Sequence, residues 1–365
     1  MKPVPSGTGF LFIYAATCSE KGHEIRDGTR ALVSKDEMRQ IVTGTGWRVA
    51  RFFVSKISVY IAMLEKETDM NATTYATAAA FLDAAGEWLE REEPVNNLIL
   101  GLAGRLATTD KPPDPPVVMM TVSGPAGLEA ATIMTPPHGV VLYAPAIGTD
   151  REDQATAALE VIAEALQAGG HTLPECHGPS ATALAFAKIW AERTGKGFAL
   201  KMAQRIYELR EVAFPRGVPG QLRAARADDL ELLAEWIEAF SQVTLERLDA
   251  QAAMKAAQHA VAYGSFAIWE DGARAVSMAA ARRPTRRGIS IGSVYTPPEH
   301  RGHGYASACV AALSQRQLDA GREFCCLYTD LANPTSNSIY QKIGYVPVAD
   351  SGHYVFDGKS EHNER

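Results

Sequence analysis

The sequence predicts an α/β protein made of two similar units, and two observations lead to this prediction. Segments with the two-residue apolar period of a strand alternate with segments that have the apolar spacing of a helix along most of the chain. A strand, a turn and a helix around residues 140–169 also recur 152 positions later, where Tyr143 and Ala168 match Tyr295 and Ala320 without an insertion.

Length and composition describe a globular protein with room for about two domains. The chain has 365 residues, of which 46% are hydrophobic and 21% are charged. Its net charge of −6 argues against a broad nucleic-acid-binding surface, which needs clustered positive charge. No apolar run reaches the ~18 residues that a membrane span requires. We therefore expect neither a nucleic acid nor a membrane as a partner.

The cysteines indicate a protein without disulfides or structural zinc. There are five of them, at positions Cys18, Cys176, Cys309, Cys325 and Cys326. Their number is odd, no two have Cys-x-x-Cys spacing, and no histidine spacing suggests zinc. We expect reduced thiols, a cytoplasmic location and no metal.

The first part of the chain divides into an extension and a first unit. Residues 1–69 show no clear pattern and are predicted to be an extension of uncertain structure, and one hypothesis is that they precede the natural start. Residues 70–215 form the first unit, which a proline-rich break at residues 111–116 interrupts. Its predicted helices cover residues 73–90, 96–102 and 155–168, its strands residues 117–122, 130–134 and 140–143, and residues 198–213 supply its closing strands.

A linker rich in proline and glycine, residues 216–220, leads into the second unit, residues 221–358, and residues 359–365 form a tail. Asp228 or Asp229 is expected to cap its first helix. The arginine-rich run 282–287 is expected to be a solvated hairpin tip, with the binding of the cofactor's 3′-phosphate or of an acidic acceptor as the alternative. The predicted helices cover residues 227–240, 246–262 and 306–320, and the strands residues 221–224, 265–269, 275–281, 288–296, 323–330, 345–348 and 353–356.

A glycine-rich turn joins the strand at residues 288–296 to the helix that follows. Gly302 and Gly304 leave the backbone free to turn and let a ligand come close. The unpaired N–H groups at a helix start and the helix dipole favour an anion, and Arg301 adds a positive charge. This combination suits a pyrophosphate group. A bulge is also predicted, because the apolar alternation changes phase at Gly292 and Ser293.

A second motif follows at residues 328–345, with Asn333, Asn337 and Tyr340 spaced as Asn-x-x-x-Asn-x-x-Tyr ahead of the run Ile343-Gly344-Tyr345. Together with the turn Arg301-Gly302-His303-Gly304-Tyr305-Ala306, it resembles the two acyl-CoA motifs of the GNAT superfamily of N-acetyltransferases. The resemblance covers about residues 220–356. It implies a mixed, mostly antiparallel sheet flanked by helices in each unit, and acetyl-CoA as the cosubstrate.

The resemblance also implies roles for individual residues. The main chain of Val294, Tyr295 and Thr296 would pair with the pantetheine arm of the cofactor. Tyr340 would donate a proton to the departing sulfur, and Glu299 is a candidate general base. The remaining residues expected to bind the cofactor, mostly at its pyrophosphate, are Arg301, Gly302, His303, Gly304, Tyr305, Ala306, Asn333 and Asn337.

The first unit is expected to be a degenerate copy that does not bind a cofactor. At the offset of 152, Arg301 and Gly302 correspond to Thr149 and Asp150, and Gly304 corresponds to Glu152. The first unit has therefore lost the arginine and the glycines and has gained two carboxylates, which would repel a pyrophosphate.

Several assignments have structural alternatives. Asn333 before Pro334 also suits a helix cap, and Tyr340 also suits a core aromatic residue. His300 and His303 also suit solvated loop positions. Asp330 and His353 are further candidates for the general base, and a water relay is another.

The predicted function is transfer of an acetyl group from acetyl-CoA to a primary amine by direct attack in a ternary complex. The acceptor is expected to be a small molecule or a peptide, and a homodimer is possible. The alternatives are a non-catalytic acyl-CoA-binding module and an acyltransferase that uses another acyl donor.

Overall fold

The computed structural model describes residues 11–14, 30–33, 70–109, 113–242 and 247–357. The chain divides into two compact units, Met1–Glu67 and Thr68–Arg365. In the first of these, β1 (Leu11–Tyr14) and β2 (Arg30–Val33) pair in an antiparallel ladder. Apart from these strands, the predicted extension 1–69 lies outside the described residues, as do residues 111–112 of the proline-rich break and the tail 359–365.

Within Thr68–Arg365, the first half, residues 70–215, contains both strands and helices. They are β3 (Asn71–Thr74), α1 (Ala78–Leu89), α2 (Asn97–Ala107), β4 (Val118–Gly124), β5 (Gly127–Met134), β6 (Val140–Tyr143), α3 (Glu152–Ala168), β7 (Glu175–Pro179), α4 (Ser180–Thr194) and β8 (Gly197–Leu209). The prediction of one helix over residues 73–90 was wrong at its start, because Asn71–Thr74 pairs with β4 and the helix is capped by the Thr77 side chain.

The second half repeats the same series of elements. They are β9 (Gln221–Ala224), α5 (Leu230–Ser241), α6 (Ala250–Ala262), β10 (Phe266–Asp271), β11 (Arg274–Arg282), β12 (Gly288–Tyr295), α7 (Tyr305–Asp319), β13 (Phe324–Asp330), α8 (Pro334–Ile343) and β14 (Val346–Asp357). The carboxylate of Asp229 accepts hydrogen bonds from Arg223 and from the Arg226 backbone N–H, in a short 3₁₀ turn that precedes α5.

All of these strands join one twelve-stranded sheet in the order β3-β4-β5-β6-β7-β14-β8-β13-β12-β11-β10-β9. The two halves exchange their last strands, because β8 pairs with β13 of the second half while β14 pairs with β7 of the first. The prediction that residues 198–213 close the first unit was therefore wrong. The last strand is also one continuous strand of 12 residues rather than two, with bulges after Pro347 and His353.

Four apolar clusters cover the two faces of this sheet. In the first half, α1 and α2 cover one face and α3 and α4 cover the other. In the second half, α5 and α6 cover one face and α7 covers the other. The α/β fold class and the repeat of two mostly antiparallel units are confirmed.

The arginine-rich run 282–287 is a hairpin tip, as predicted, and half of its residues are exposed. It is not solvated throughout, because the other residues pack against the first half. Arg287 pairs with Glu93, whose side chain is fully buried, and the two charged groups lie 2.6 Å apart. Thr285 also donates to Glu93. Burial is the largest single contribution and raises the pKa of Glu93, but the hydrogen bonds together outweigh it, so the pKa is lowered. Arg286 pairs with Glu90 at 2.6 Å. Within the described ranges, no helix is long and apolar enough to cross a membrane.

Candidate acyl-CoA and acceptor site

A cavity of about 1060 Å³ opens beside the C-terminal part of β12. Its wall comes from both halves: α2, β6, β7 and β8 of the first, and α5, β11, β12, β13, α7, α8 and β14 of the second. Pockets that bind small ligands commonly have volumes of about 300–1,000 Å³. The cavity is therefore large enough for an extended ligand or for two ligands side by side.

Strands β12 and β13 part at the edge of this cavity. They pair in parallel only from Gly288 to Ser290, opposite residues 324–326. The register between β11 and β12 shifts before Tyr295, and Ser293 has a φ of +47°. A bulge thus lies where the change in apolar phase predicted one, and it turns β12 away from β13. The residues beyond it, Val294 to Thr296, line the cavity.

The glycine-rich turn has the backbone conformation that the sequence predicts. Gly302 and Gly304 both have a φ of +81°, in the left-handed region that favours glycine. A Cβ on Gly304 would lie 2.9 Å from a methyl group of Val218, whereas the space around Gly302 is open. Helix α7 begins at Tyr305, so the unpaired N–H groups of its first turn lie at the cavity beside Ala306.

Arg301 lies at the cavity wall and is exposed to solvent. Its Nε donates a hydrogen bond to the Thr296 carbonyl at 3.0 Å, which holds the side chain across the turn. The Ser277 hydroxyl donates to the Tyr295 carbonyl at 3.1 Å. Each of these carbonyls retains a second lone pair for a ligand.

The side chains of two residues of the predicted pyrophosphate cradle, residues 301–306, contact other parts of the protein. The Tyr305 hydroxyl donates to Asp271 at 2.7 Å, which anchors the start of α7 to the turn between β10 and β11. His303 does not line the cavity; its ring stacks on Tyr305, with the ring centroids 5.5 Å apart. These two residues position the turn through their own contacts.

Tyr340 lies on α8 and lines the cavity. Its ring packs edge to face against Tyr345, with the ring centroids 6.0 Å apart. Burial raises the pKa of Tyr340 to about 12, so its phenol carries a proton at neutral pH. The side chain is thus both a partner of the core cluster and a neutral hydroxyl group beside the cavity.

The two asparagines of the second motif have structural roles. Asn333 caps α8, since its side chain accepts a hydrogen bond from the Ser336 N–H at 3.0 Å, and it also lines the cavity. Asn337 lies outside the cavity wall. Its amide accepts from the Tyr207 hydroxyl at 2.9 Å and donates to the carbonyls of Asp330 and Asn333. Asn337 therefore holds β8, β13 and α8 together.

The candidates for the general base separate into two groups. Glu299 is exposed in a 3₁₀ turn and is not part of the cavity wall, whereas Asp330, His300 and His353 are. The geometry thus favours the alternatives over Glu299.

Sequence reasoning named His353 but missed the polar side chains that the strand exchange places beside it. His353 on β14 is only 5% exposed, and its Nε2 lies 2.8 Å from the Glu175 carboxylate on β7. The two atoms are not aligned for a hydrogen bond. The interaction with His353 is the largest cause that lowers the pKa of Glu175.

His177 extends this cluster from the first half. Its ring lies 5.8 Å from that of His353, and its Nε2 is 3.3 Å from the amide oxygen of Gln204. Burial, followed by the charge of His353, lowers the pKa of His177 to about 4, so its imidazole is neutral at pH 7. No local pattern could have revealed Glu175 and His177, because they reach the cavity only through the pairing of β7 with β14.

Among residues 70–109, 113–242 and 247–357, no group of three or more His, Cys, Asp or Glu side chains is arranged to hold a metal ion. The described cysteines, Cys176, Cys309, Cys325 and Cys326, are buried free thiols.

Comparison with known proteins identifies the fold. Residues 271–352 match the family described as FR47-like protein. No curated protein matches the chain.

Among solved structures, a GCN5-related N-acetyltransferase from Sphaerobacter thermophilus aligns with a TM-score of 0.52 and 16% identity, over 80% of this chain and 98% of that one. A Drosophila protein of known X-ray structure aligns with a TM-score of 0.54 and 10% identity, over 79% of this chain and 98% of that one. The chain thus has the GNAT fold in two tandem copies, as the sequence motifs predict.

Proposed function

We propose that the chain is an N-acyltransferase that transfers an acetyl group from acetyl-CoA to a primary amine in a ternary complex. One observation carries this proposal: a single cavity connects the parted strands β12 and β13, the glycine turn at the start of α7, and the phenol of Tyr340. Acyl transfer from a thioester needs orientation of the two reactants and a proton for the departing thiolate, and these three features supply both.

The donor would lie along β12. Its pyrophosphate would rest on the N–H groups of Gly302 to Ala306 and on Arg301, because a helix start and a guanidinium both favour phosphate. Its pantetheine arm would follow Val294 to Thr296 into the gap that the bulge opens. This path would bring the thioester toward Tyr340.

The amine would approach from the side of the first half. The ionised Glu175 would attract an ammonium group, and His353 beside it would take a proton to leave the neutral amine. The amine nitrogen would then attack the thioester carbonyl, the C–S bond would break, and the Tyr340 hydroxyl would protonate the thiolate. The proton that His353 took and the one that the new amide nitrogen loses would pass to solvent, and solvent would return one to Tyr340.

Measuring thiol release from acetyl-CoA over a panel of amines tests this function. We expect Tyr340→Phe to lower kcat by ~10²-fold, as expected for loss of a general acid, with little change in acetyl-CoA affinity. Tyr263→Phe is a matched control, because Tyr263 is 74% exposed and does not line the cavity. Unchanged turnover in Tyr340→Phe would remove the acid role, and a wild-type chain that binds acetyl-CoA without releasing thiol would be a binding module.

The proposal also includes a small molecule or a peptide as the acceptor, acetyl-CoA rather than a longer acyl-CoA as the donor, a cytoplasmic location and a homodimer. Reduced thiols buried in both halves support a reducing compartment. A thermal-shift series with acetyl-CoA and longer acyl-CoAs would rank the donors, and the donor that stabilises most at equal concentration should also react fastest.

A further inference from the structure

Two adjacent arginines line the cavity without an acidic partner. Arg282 is the last residue of β11 and Arg283 follows it, and in the described part of the chain neither forms an ion pair with a carboxylate, whereas Arg286 and Arg287 of the same run do. Each guanidinium group donates to a hydroxyl group on β12: Arg282 to Ser293, and Arg283 to Ser290 at 3.0 Å. Arg282 also lies over the ring of Phe266, 5.7 Å from its centroid. The cavity thus has two unneutralised positive charges side by side.

The first half holds Arg283 in place. Its φ of +50° is unusual for a residue with a side chain, and such backbone conformations persist where the surroundings impose them. The Asn97 amide donates to the Arg283 carbonyl at 3.2 Å. A Cβ on Gly101 of α2 would lie only 2.6 Å from the Cβ of Arg283, so α2 is in close contact with it.

Both side chains remain available to bind an anion. The Nε of Arg283 is buried without a hydrogen-bond partner, which is costly unless a ligand supplies one. Although Arg282 is accessible from the cavity, the protein around it and the charge of Arg283 lower its pKa to about 10, so it is still a cation at neutral pH.

This pair is separate from the pyrophosphate cradle. Its hydroxyl partners Ser290 and Ser293 lie at or before the bulge, whereas Arg301 follows the end of β12. At about 3.3 Å per strand residue, Ser290 lies about 16 Å and Ser293 about 7 Å from the end of the strand. The charge of Arg283 is among the causes that lower the pKa of His177, so Arg283 lies on the side of the cavity where the acceptor would bind.

We propose that the acceptor is an amine that also carries a carboxylate or a phosphate group, and that Arg282 and Arg283 bind this anion while the amine faces Glu175 and His353. Guanidinium groups match both anions through paired, charge-assisted hydrogen bonds. The ionised Glu175, which also lies 3.9 Å from the Lys201 ammonium group, provides the negative charge that the amine requires. This inference rests on the proposed acyl transfer and deepens it.

Matched pairs of amines test the proposal by steady-state kinetics. Phenylalanine against phenethylamine tests the carboxylate, and phosphoethanolamine against ethanolamine tests the phosphate. We expect the wild-type kcat/KM to favour the anionic member of at least one pair by about 10-fold or more, the effect of one or two charge-assisted hydrogen bonds. A preference for the neutral member of both pairs would overturn the proposal.

Variants within the arginine-rich run 282–287 test whether Arg282 and Arg283 cause the preference for the anionic amine. Arg282→Gln/Arg283→Gln should raise KM for the anionic amine and abolish the preference, with kcat unchanged. Arg286→Gln is the control, because Arg286 carries the same charge in the same run but does not line the cavity. A double variant that retains the preference would contradict the assignment.

Two binding measurements separate this inference from the acyl transfer itself. With saturating CoA occupying the cradle, inorganic phosphate should raise the Tm of the wild type more than sodium chloride of equal ionic strength does. The double variant should lose this increment, and the test holds even if no amine is turned over. If the double variant instead weakens binding of CoA but not of dephospho-CoA, the arginines serve the cofactor's 3′-phosphate and the proposal fails.

Discussion

The N-termini of α3 and α7 occupy the same place in the two copies of the fold, yet only one of them is arranged to bind an anion. Before α7, Arg301 precedes two glycines in the left-handed conformation. Before α3, Gly148 alone has such a conformation, with a φ of +82°, and Thr149 and Asp150 follow it. The first half therefore presents Thr149 and a carboxylate where the second presents Arg301 and a glycine.

In the first half, an internal ion pair lies at the helix start that corresponds to the cradle. Arg151, immediately before α3, pairs with Glu129, which is 2% exposed on β5. This arginine is committed to an internal carboxylate, whereas Arg301 contacts only a backbone carbonyl. A helix start with its charge already compensated has little to offer a phosphate.

The gap between the central strands differs in the same way. Both β6–β7 and β12–β13 are short parallel pairs. In the first half, however, a Cβ on Gly178 would lie 2.5 Å from the Leu142 carbonyl, so β6 and β7 leave no space for a pantetheine arm. In the second half, the bulge at Ser293 opens the corresponding space.

The helices that follow these strands show a third difference. The seventh residue is Tyr340 in α8 and Phe186 in α4. Phe186 is fully buried in the core beneath α3 and α4, whereas Tyr340 lines the cavity. The two copies of the fold therefore differ in the three features on which the proposed site depends: the cradle, the gap and the phenol. The first half contributes instead as a wall, through Glu175 and His177.

The largest expected effect concerns Arg301. We expect Arg301→Glu to raise the Kd for CoA by ~10²-fold or more, because it removes charge-assisted hydrogen bonds and places a like charge beside the pyrophosphate. Arg151→Glu, at the corresponding helix of the first half, should leave this Kd unchanged while lowering stability. Isothermal titration calorimetry checks both, and equal losses of CoA affinity would contradict the difference between the two cradles.

A pair of glycine substitutions sharpens the comparison. Gly304→Ala and Gly148→Ala each force alanine into the left-handed region, at a cost of about 1–2 kcal/mol in the free energy of unfolding. Only Gly304→Ala should also weaken CoA binding, because its methyl group would collide with Val218 at the cradle. Urea unfolding and a CoA titration of both variants measure the two effects, and weaker binding in Gly148→Ala would argue against the assignment.

The last prediction concerns His177 and acid stability. Its pKa falls from an ordinary value of 6.5 to about 4 on folding, so below pH 6.5 the unfolded chain binds a proton that the folded chain does not. Stability contributed by the neutral ring is present above pH 6.5 and is lost progressively down to about pH 4. We expect His177→Gln to flatten this part of the stability profile, as measured by urea unfolding from pH 7 to pH 4.5. An unchanged slope would show that His177 titrates normally.

Local pattern predicted the cradle and the bulge because both depend on residues close in sequence. The positive φ of Gly302 and Gly304 and the phase change at Ser293 need no information about distant strands. The pairing of most strands with their neighbours was predictable for the same reason.

The centre of the sheet was not predictable in this way. Asp350-Ser351-Gly352 resembles a turn, yet β14 continues through it because β7 and β8 supply hydrogen bonds on both sides. This exchange brings His353 beside Glu175. The polar side of the cavity thus depends on long-range pairing, which overrides local propensity.

The central claim is that only the second half binds the cofactor. A calorimetric titration of the full chain with acetyl-CoA tests it most directly, because it measures the number of binding sites per chain. We predict one binding site per chain, which disappears in Arg301→Glu and persists in Arg151→Glu. Two sites per chain, no binding, or a site that survives Arg301→Glu would contradict the account.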